Sequence, residues 1–238
     1  MGSDDGTIGR VLTRREALAL LGAGGLAALG AGRPASAAAP GACVVRPALT
    51  EGPYFVDVKL GRSDIRSDPA DGTLRPGVPL HLTLRVSRLA AGACAPLPGA
   101  MVDVWHCDAA GLYSDVTDRG GSTVGRKFLR GYQTTGGDGR VAFTTIYPGA
   151  YPGRAVHVHF KVRSDAGRGR AHEFTSQLFF DDALTDQVHA RPPYAAAARR
   201  MRNERDGIYR GTGGQLTLAA APSGGGYAAA FDLALEVG

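Results

Sequence analysis

The sequence predicts an all-β fold, a β-sandwich with a short C-terminal helical stretch. Two observations predict it. Many segments alternate apolar and polar residues with a period of two, the repeat of a half-buried strand. The 35 Gly and 14 Pro fall mostly between those segments as turn signals, as in proteins built from many short strands. At 44% hydrophobic and 21% charged, the chain of 238 residues can bury a sizeable core.

In chain order, Leu80, Leu82, Leu84 and Val86 face one side of the first strand, and His81, Thr83, Arg85 and Ser87 the other. Further strands are expected at Val102 to Trp105, Val141 to Ile146, Val156 to Val162, Phe174 to Phe180, Gln215 to Ala219 and Tyr227 to Val237. Pro98-Gly99, Gly136-Gly137-Asp138-Gly139, Pro148-Gly149 and Pro152-Gly153 mark turns between them. Ala195 to Arg205 is Ala-rich and reads as a helix, with Arg199, Arg200, Arg202 and Arg205 on a solvated face. The remaining excess of 27 Lys+Arg over 22 Asp+Glu is scattered, which gives nucleic-acid binding little support.

Residues 1–37 read as an export signal. Thr13-Arg14-Arg15 precedes the uncharged stretch Ala17 to Gly32, and Ala35-Ser36-Ala37 offers a small-x-small cleavage site. The apolar stretch is too short and too rich in Gly and Ala to span a membrane. The paired arginines resemble a twin-arginine signal, with Ala17 where that signal usually has a bulky apolar residue. Such a route carries folded proteins, so it suits a protein that acquires a metal before export. The expected location is the periplasm, the cell surface or the medium. No repeat, linker or composition break follows, and residues 38–238 read as one domain.

Three cysteines lie in that domain: Cys43, Cys94 and Cys107. Outside the cytoplasm two of them can pair. Sequence alone leaves three pairings open. Cys43 with Cys94 is favoured because both lie in Gly/Ala/Pro-rich loop sequence, whereas Cys107 ends an apolar strand.

The segment Val156-His157-Val158-His159-Phe160-Lys161-Val162 puts Val156, Val158, Phe160 and Val162 toward the core, with His157, His159 and Lys161 on the opposite face. Two imidazoles on one strand face can lean onto one ion, which makes half of a metal site. A lone His-x-His is weak, since both rings can simply sit on a polar sheet face. Tyr113 and Tyr151 recur nearby in Gly-flanked turns. A phenolate is a hard anionic donor that suits ferric iron better than zinc or copper(I).

Further motifs make the reading specific. Thr50-Glu51-Gly52-Pro53-Tyr54-Phe55, Pro98 to Asp108, Gly111-Leu112-Tyr113-Ser114, Phe128 to Gln133, Thr145 to Arg154, His157-Val158-His159-Phe160 and Thr175 to Phe180 occur in unbroken order. With these motifs the chain resembles the intradiol ring-cleavage dioxygenases, and most of all exported relatives of the protocatechuate 3,4-dioxygenase β chain. The resemblance covers about residues 43 to 210. It implies a β-sandwich and one non-haem Fe(III) per chain, held by Tyr113, Tyr151, His157 and His159. It also implies Arg154 and Gln177 as polar residues beside a catechol-type substrate, with Tyr151 displaced when that substrate binds. The implied reaction inserts both atoms of O2 and opens the ring between its hydroxyl-bearing carbons to a muconate-type diacid. Ala150 and Gly153 depart from the bulkier residues of relatives and bear on substrate shape. His106 is expected to pack near the site without binding metal, Tyr54 and Tyr132 to serve as pocket or structural residues.

Two other classes compete. A non-catalytic β-sandwich binding module would need none of the four donors, and a copper or zinc His-x-His protein would have no use for the tyrosines.

Overall fold

The computed structural model describes residues 43–118, 121–164, 172–194 and 200–236. The signal predicted over residues 1–37 lies outside them.

The period-two segments become strands. They are β1 (Pro79–Ala90), β2 (Ala93–Pro96), β3 (Met101–Trp105), β4 (Thr117–Asp118), β5 (Gly121–Ser122), β6 (Arg130–Thr134), β7 (Arg140–Ile146), β8 (His157–Ser164), β9 (His172–Phe180), β10 (Thr217–Leu218), β11 (Ala221–Ser223) and β12 (Gly226–Glu236). Two helices are α1 (Asp182–His189) and α2 (Gly207–Arg210), and Asn203–Arg205 forms a 3-10 turn. No helix among the described residues is long and apolar enough to cross a membrane.

Two five-stranded sheets face each other. In the first, β12 pairs in parallel with β1 and carries β11 on its far side, while β2 and β7 share the other edge of β1. The second has the order β10-β9-β8-β3-β6, and β4 with β5 forms a separate hairpin. Between the sheets lies the core. Leu80, Leu82, Leu84 and Val86 from β1 and Phe231 from β12 pack with Val102, Val104, Val158, Phe160, Val162 and Leu178 from the second sheet. Cys43 is bonded to Cys94, and Cys107 is free and buried, as favoured.

One expectation needs correction. The helix expected at Ala195 to Arg205 does not form where it is described: residues 195–199 lie outside the described set, Arg202 is extended, and only Asn203–Arg205 coils. Arg200 is instead drawn back along the chain, donating Nη2 to the Asp182 carbonyl at 2.7 Å and pairing with the Asp182 and Asp186 carboxylates. The main helix lies earlier, at α1, where the Asp181 side chain accepts the Leu184 N–H at 3.0 Å as an N-cap. The face of β8 that carries the two histidines is covered. His157, His159 and Lys161 are all buried there.

Candidate metal and substrate site

Strand pairing builds the site in rows. Directly paired residues share a face, so Gln177 of β9, His159 of β8, Trp105 of β3 and Arg130 of β6 form one row across the outer side of the second sheet. His157 lies in the neighbouring row, opposite Phe179. The motif at residues 50–55 roofs this face. Gln177 Nε2 donates to the Thr50 carbonyl at 2.8 Å, the Glu51 carboxylate pairs with Lys161, and Phe55 packs on Trp105 at 4.9 Å between centroids.

The two tyrosines arrive on turns locked to each other. Asp108 Oδ1 accepts the N–H groups of Ala110 and Leu112 at 2.9 and 3.0 Å, which shapes the approach to Tyr113. Gly111 has φ +87°, and a Cβ there would overlap the Ala150 carbonyl oxygen, immediately before Tyr151. Behind Tyr151, His189 Nε2 donates to the Pro148 carbonyl at 2.9 Å, and the Tyr147 hydroxyl bonds Thr185 Oγ1 at 2.7 Å. His189 carried no signal in the sequence; its role emerges only where α1 packs on the turn.

At the centre, the Nε2 atoms of His157 and His159 lie 2.9 Å apart, and Tyr151 Oη is 3.2 Å from His157 Nε2. His157 Nδ1 is 2.6 Å from the Ala155 carbonyl. A carbonyl only accepts, so Nδ1 carries the proton and the His157 Nε2 lone pair faces its neighbours. Tyr113 stands at a T-shaped 5.5 Å from Tyr151 and 6.2 Å from His159, and its hydroxyl is buried without a hydrogen-bond partner. Tyr54 stacks on Tyr113 at 4.3 Å. Beside them opens a cleft of about 560 Å³ lined by Tyr54, Gly111, Leu112, Asp118, Tyr151 and Pro152.

Burial sets the protonation states. It pushes the Tyr113 phenol well above its ordinary range and Tyr151 up to about 12, with Arg154 working the other way on Tyr151. It pulls His157 down to about 3 and His159 well below the ordinary imidazole value, reinforced by Arg154 and by His157 beside His159. Two neutral phenols and two neutral imidazoles therefore face one another, with lone pairs and hydroxyls poorly matched.

A cation resolves that mismatch. The two imidazole Nε2 atoms stand 2.9 Å apart, near enough for one cation to take both lone pairs. Among the described residues no group of three or more His, Cys, Asp or Glu could hold a metal. The tyrosine oxygens are needed to complete a donor set, and they select a hard, highly charged ion. These four residues fit ferric iron.

Arg154 and Gln177 meet: an Arg154 Nη donates to Gln177 Oε1 at 2.6 Å, and Arg154 Nε donates to Asp206 Oδ2 at 2.9 Å. His106 stays out of the donor set, with Nδ1 2.8 Å from the Cys107 carbonyl and Nε2 2.7 Å from Thr145 Oγ1. Tyr132 packs against Gly61 in the row next to that of His159. Sequence reasoning missed Asp206. Its one signal was an Asp-Gly step before Ile208, the mark of a helix start.

Comparison with known proteins agrees with this geometry. The family profile described as Dioxygenase matches residues 50–207. The chain is 31% identical over 159 residues to the protocatechuate 3,4-dioxygenase beta chain of Burkholderia cepacia, covering 62% of this chain and 66% of that one. It is 32% identical over 120 residues to catechol 1,2-dioxygenase 1 of Acinetobacter lwoffii, covering 41% of this chain and 38% of that one. The matches thus span two thirds or less of those relatives' lengths. Among solved structures, the chain is similar to an intradiol ring-cleavage dioxygenase from Tetranychus urticae, with a TM-score of 0.71 and 31% identity over 82% of this chain and 95% of that one.

Proposed function

We propose, from the premise that this chain belongs to the intradiol ring-cleavage dioxygenase family, that it is a non-haem ferric enzyme acting on a catechol-type aromatic. It uses both atoms of O2 and opens the ring between the hydroxyl-bearing carbons to give a muconate-type diacid. Tyr113, Tyr151, His157 and His159 would hold one Fe(III). The observation that carries this reading is the pair of imidazole Nε2 atoms 2.9 Å apart, beside Tyr151 and the unpartnered hydroxyl of Tyr113.

A bound ferric ion would supply the electron-withdrawing centre that makes a catecholate ring reactive toward dioxygen. Tyr151 lines the cleft and is the most accessible of the four donors. Its Oη is therefore the donor oxygen placed to take a proton from a substrate hydroxyl. Arg154 stabilises the negative charge that develops on the substrate. Gln177, fixed by the Thr50 carbonyl, holds the Arg154 side chain and orients the substrate by hydrogen bonding. The roof at residues 50–55 limits water at the buried imidazoles.

Export by the twin-arginine route belongs to the same proposal. The Cys43–Cys94 disulfide supports it, since such bonds persist in oxidising compartments. Cell fractionation with the arginine pair replaced by lysines tests it: retention in the cytoplasm is the expected result, and undiminished export the contrary one.

The catalytic reading is tested by the visible spectrum of purified protein, with metal analysis and catechol titration on the same sample. A red-brown band that shifts with catechol, at about one iron per chain, is expected from tyrosinate donors. A protein that stays colourless after ferric reconstitution overturns the ligand assignment.

A further inference from the structure

Arg154 sits in the turn before β8, where an unsupported guanidinium would sample many rotamers. Its support comes from Asp206, 52 residues further along the chain and only 2% exposed. An ionised carboxylate offers about four acceptor sites, and Asp206 fills all of them from two directions. Oδ2 accepts Arg154 Nε–H at 2.9 Å and the Ala155 N–H at 2.8 Å. Oδ1 accepts the N–H groups of Ile208 and Tyr209 at 2.8 and 3.2 Å, capping α2.

Capping needs only Oδ1. The second oxygen is committed to the turn that leads into the site. There the Ala155 peptide is held at both ends: its N–H by Asp206, and its carbonyl by His157 Nδ1 at 2.6 Å. Arg154 is likewise held at both ends of its guanidinium, by Asp206 and by Gln177, which the Thr50 carbonyl anchors in turn. One buried carboxylate thus joins a helix start, a substrate-facing arginine and the peptide that fixes the His157 tautomer.

We infer that Asp206 is a positioning residue for ring cleavage, holding Arg154 pre-aimed along the Gln177 row. The inference rests on the reading of the site as a catechol-cleaving centre. Its physical basis is preorganisation: a charge fixed before the reaction needs no reorientation while negative charge develops on the substrate. Asp206 itself touches neither substrate nor metal donor.

The test is Asp206→Asn in the full-length, iron-loaded protein, with catechol as substrate. Asn keeps the size and one capping oxygen but turns an NH2 group toward the Arg154 and Ala155 donors. Outer partners of this kind are worth roughly 10–100-fold in activity, so kcat is expected to fall by about that factor. KM for catechol, catechol affinity measured without dioxygen, iron per chain and the visible band are expected to stay within about twofold of wild type. Combined with Arg154→Gln, the second change is expected to add nothing, because both disable the same group. A folded, iron-replete Asp206→Asn protein with kcat unchanged overturns the inference, and so does a double variant losing the product of the two single losses. If Asn prevents folding, Asp206→Ser, which still caps a helix, replaces it under the same criteria. If both variants lose iron, stability and activity in step, the role is structural and the inference fails. A wild type that binds iron yet leaves catechol intact overturns the reading of the site and this inference with it; an active wild type with an undisturbed variant overturns this inference alone.

Discussion

Tyr113→Phe is expected to make the metal-free protein more stable while removing its function. The ring is buried to 2% exposure and stacks on Tyr54 at 4.3 Å, contacts that Phe keeps. The hydroxyl has no partner. Leaving such a group buried and unsatisfied costs about 1–3 kcal/mol, so deleting it should raise the unfolding free energy of the metal-free protein by about that amount. Iron reverses the order. A ligand present at about 1,000 times its Kd adds about 4.1 kcal/mol to the form that binds it, and the variant, lacking one of four donors, gains little of this. The assay is urea unfolding of both proteins, first after chelation and then with ferric ion restored. The predicted signature is a crossing, with the variant ahead without iron and the wild type ahead with it. A metal-free variant that is no more stable than wild type refutes the reasoning, because the hydroxyl would then have a partner and would not be held in reserve for an ion.

The Cys43–Cys94 bond closes a separation of 51 residues. Chain entropy assigns such a loop about 4 kcal/mol, to be read from urea midpoints with and without reductant; coincident curves would contradict it. Burial holds His106 down at about 4 against 6.5 for a free imidazole. As pH falls below about 6.5 the unfolded chain binds a proton that the folded one refuses, so this contribution is complete above 6.5 and is lost toward pH 4. At pH 5 the loss is about 2 kcal/mol, and His106→Gln should show a drop between pH 7.5 and 5 smaller by that amount; equal drops would disprove the assignment. Gly111→Ala must relieve both a positive φ and an overlap with the Ala150 carbonyl. Both tyrosine turns should shift, lowering stability by roughly 1–3 kcal/mol and abolishing the tyrosinate band; an unchanged spectrum would show the turns are not coupled.

Much of this was legible in the sequence because strand periodicity is local. The apolar alternation of Leu80 to Val86 and of Val156 to Val162 specified which face of each strand packs inward, and that alone put His157 and His159 on one side. The tyrosine donors could be named by resemblance, and the structure brings all four side chains together. What stayed hidden was non-local. Nothing local to β8 tells that the segment at residues 50–55 covers its polar face. The helix at α1 is only eight residues long, and its cap is set by Asp181 immediately after a strand. Ala195 to Arg205 has high helix propensity, but over the described residues 200–205 the Arg200 contacts to Asp182 and Asp186 override it. Asp206 looked like one more acidic residue before a glycine, because its partners lie some 50 positions earlier.

The parallel pairing of β1 with β12 runs in register from Leu80 with Tyr227 to Leu89 with Glu236. On a ribosome the two halves of that ladder emerge about 150 residues apart, which at about 5–20 residues per second is roughly 10–30 s. Throughout that interval the β12-facing edge of β1 presents unpaired backbone N–H and C=O groups, the kind of edge that recruits other chains. Slowing elongation between β1 and β12 should therefore lower the soluble yield without altering the finished molecule.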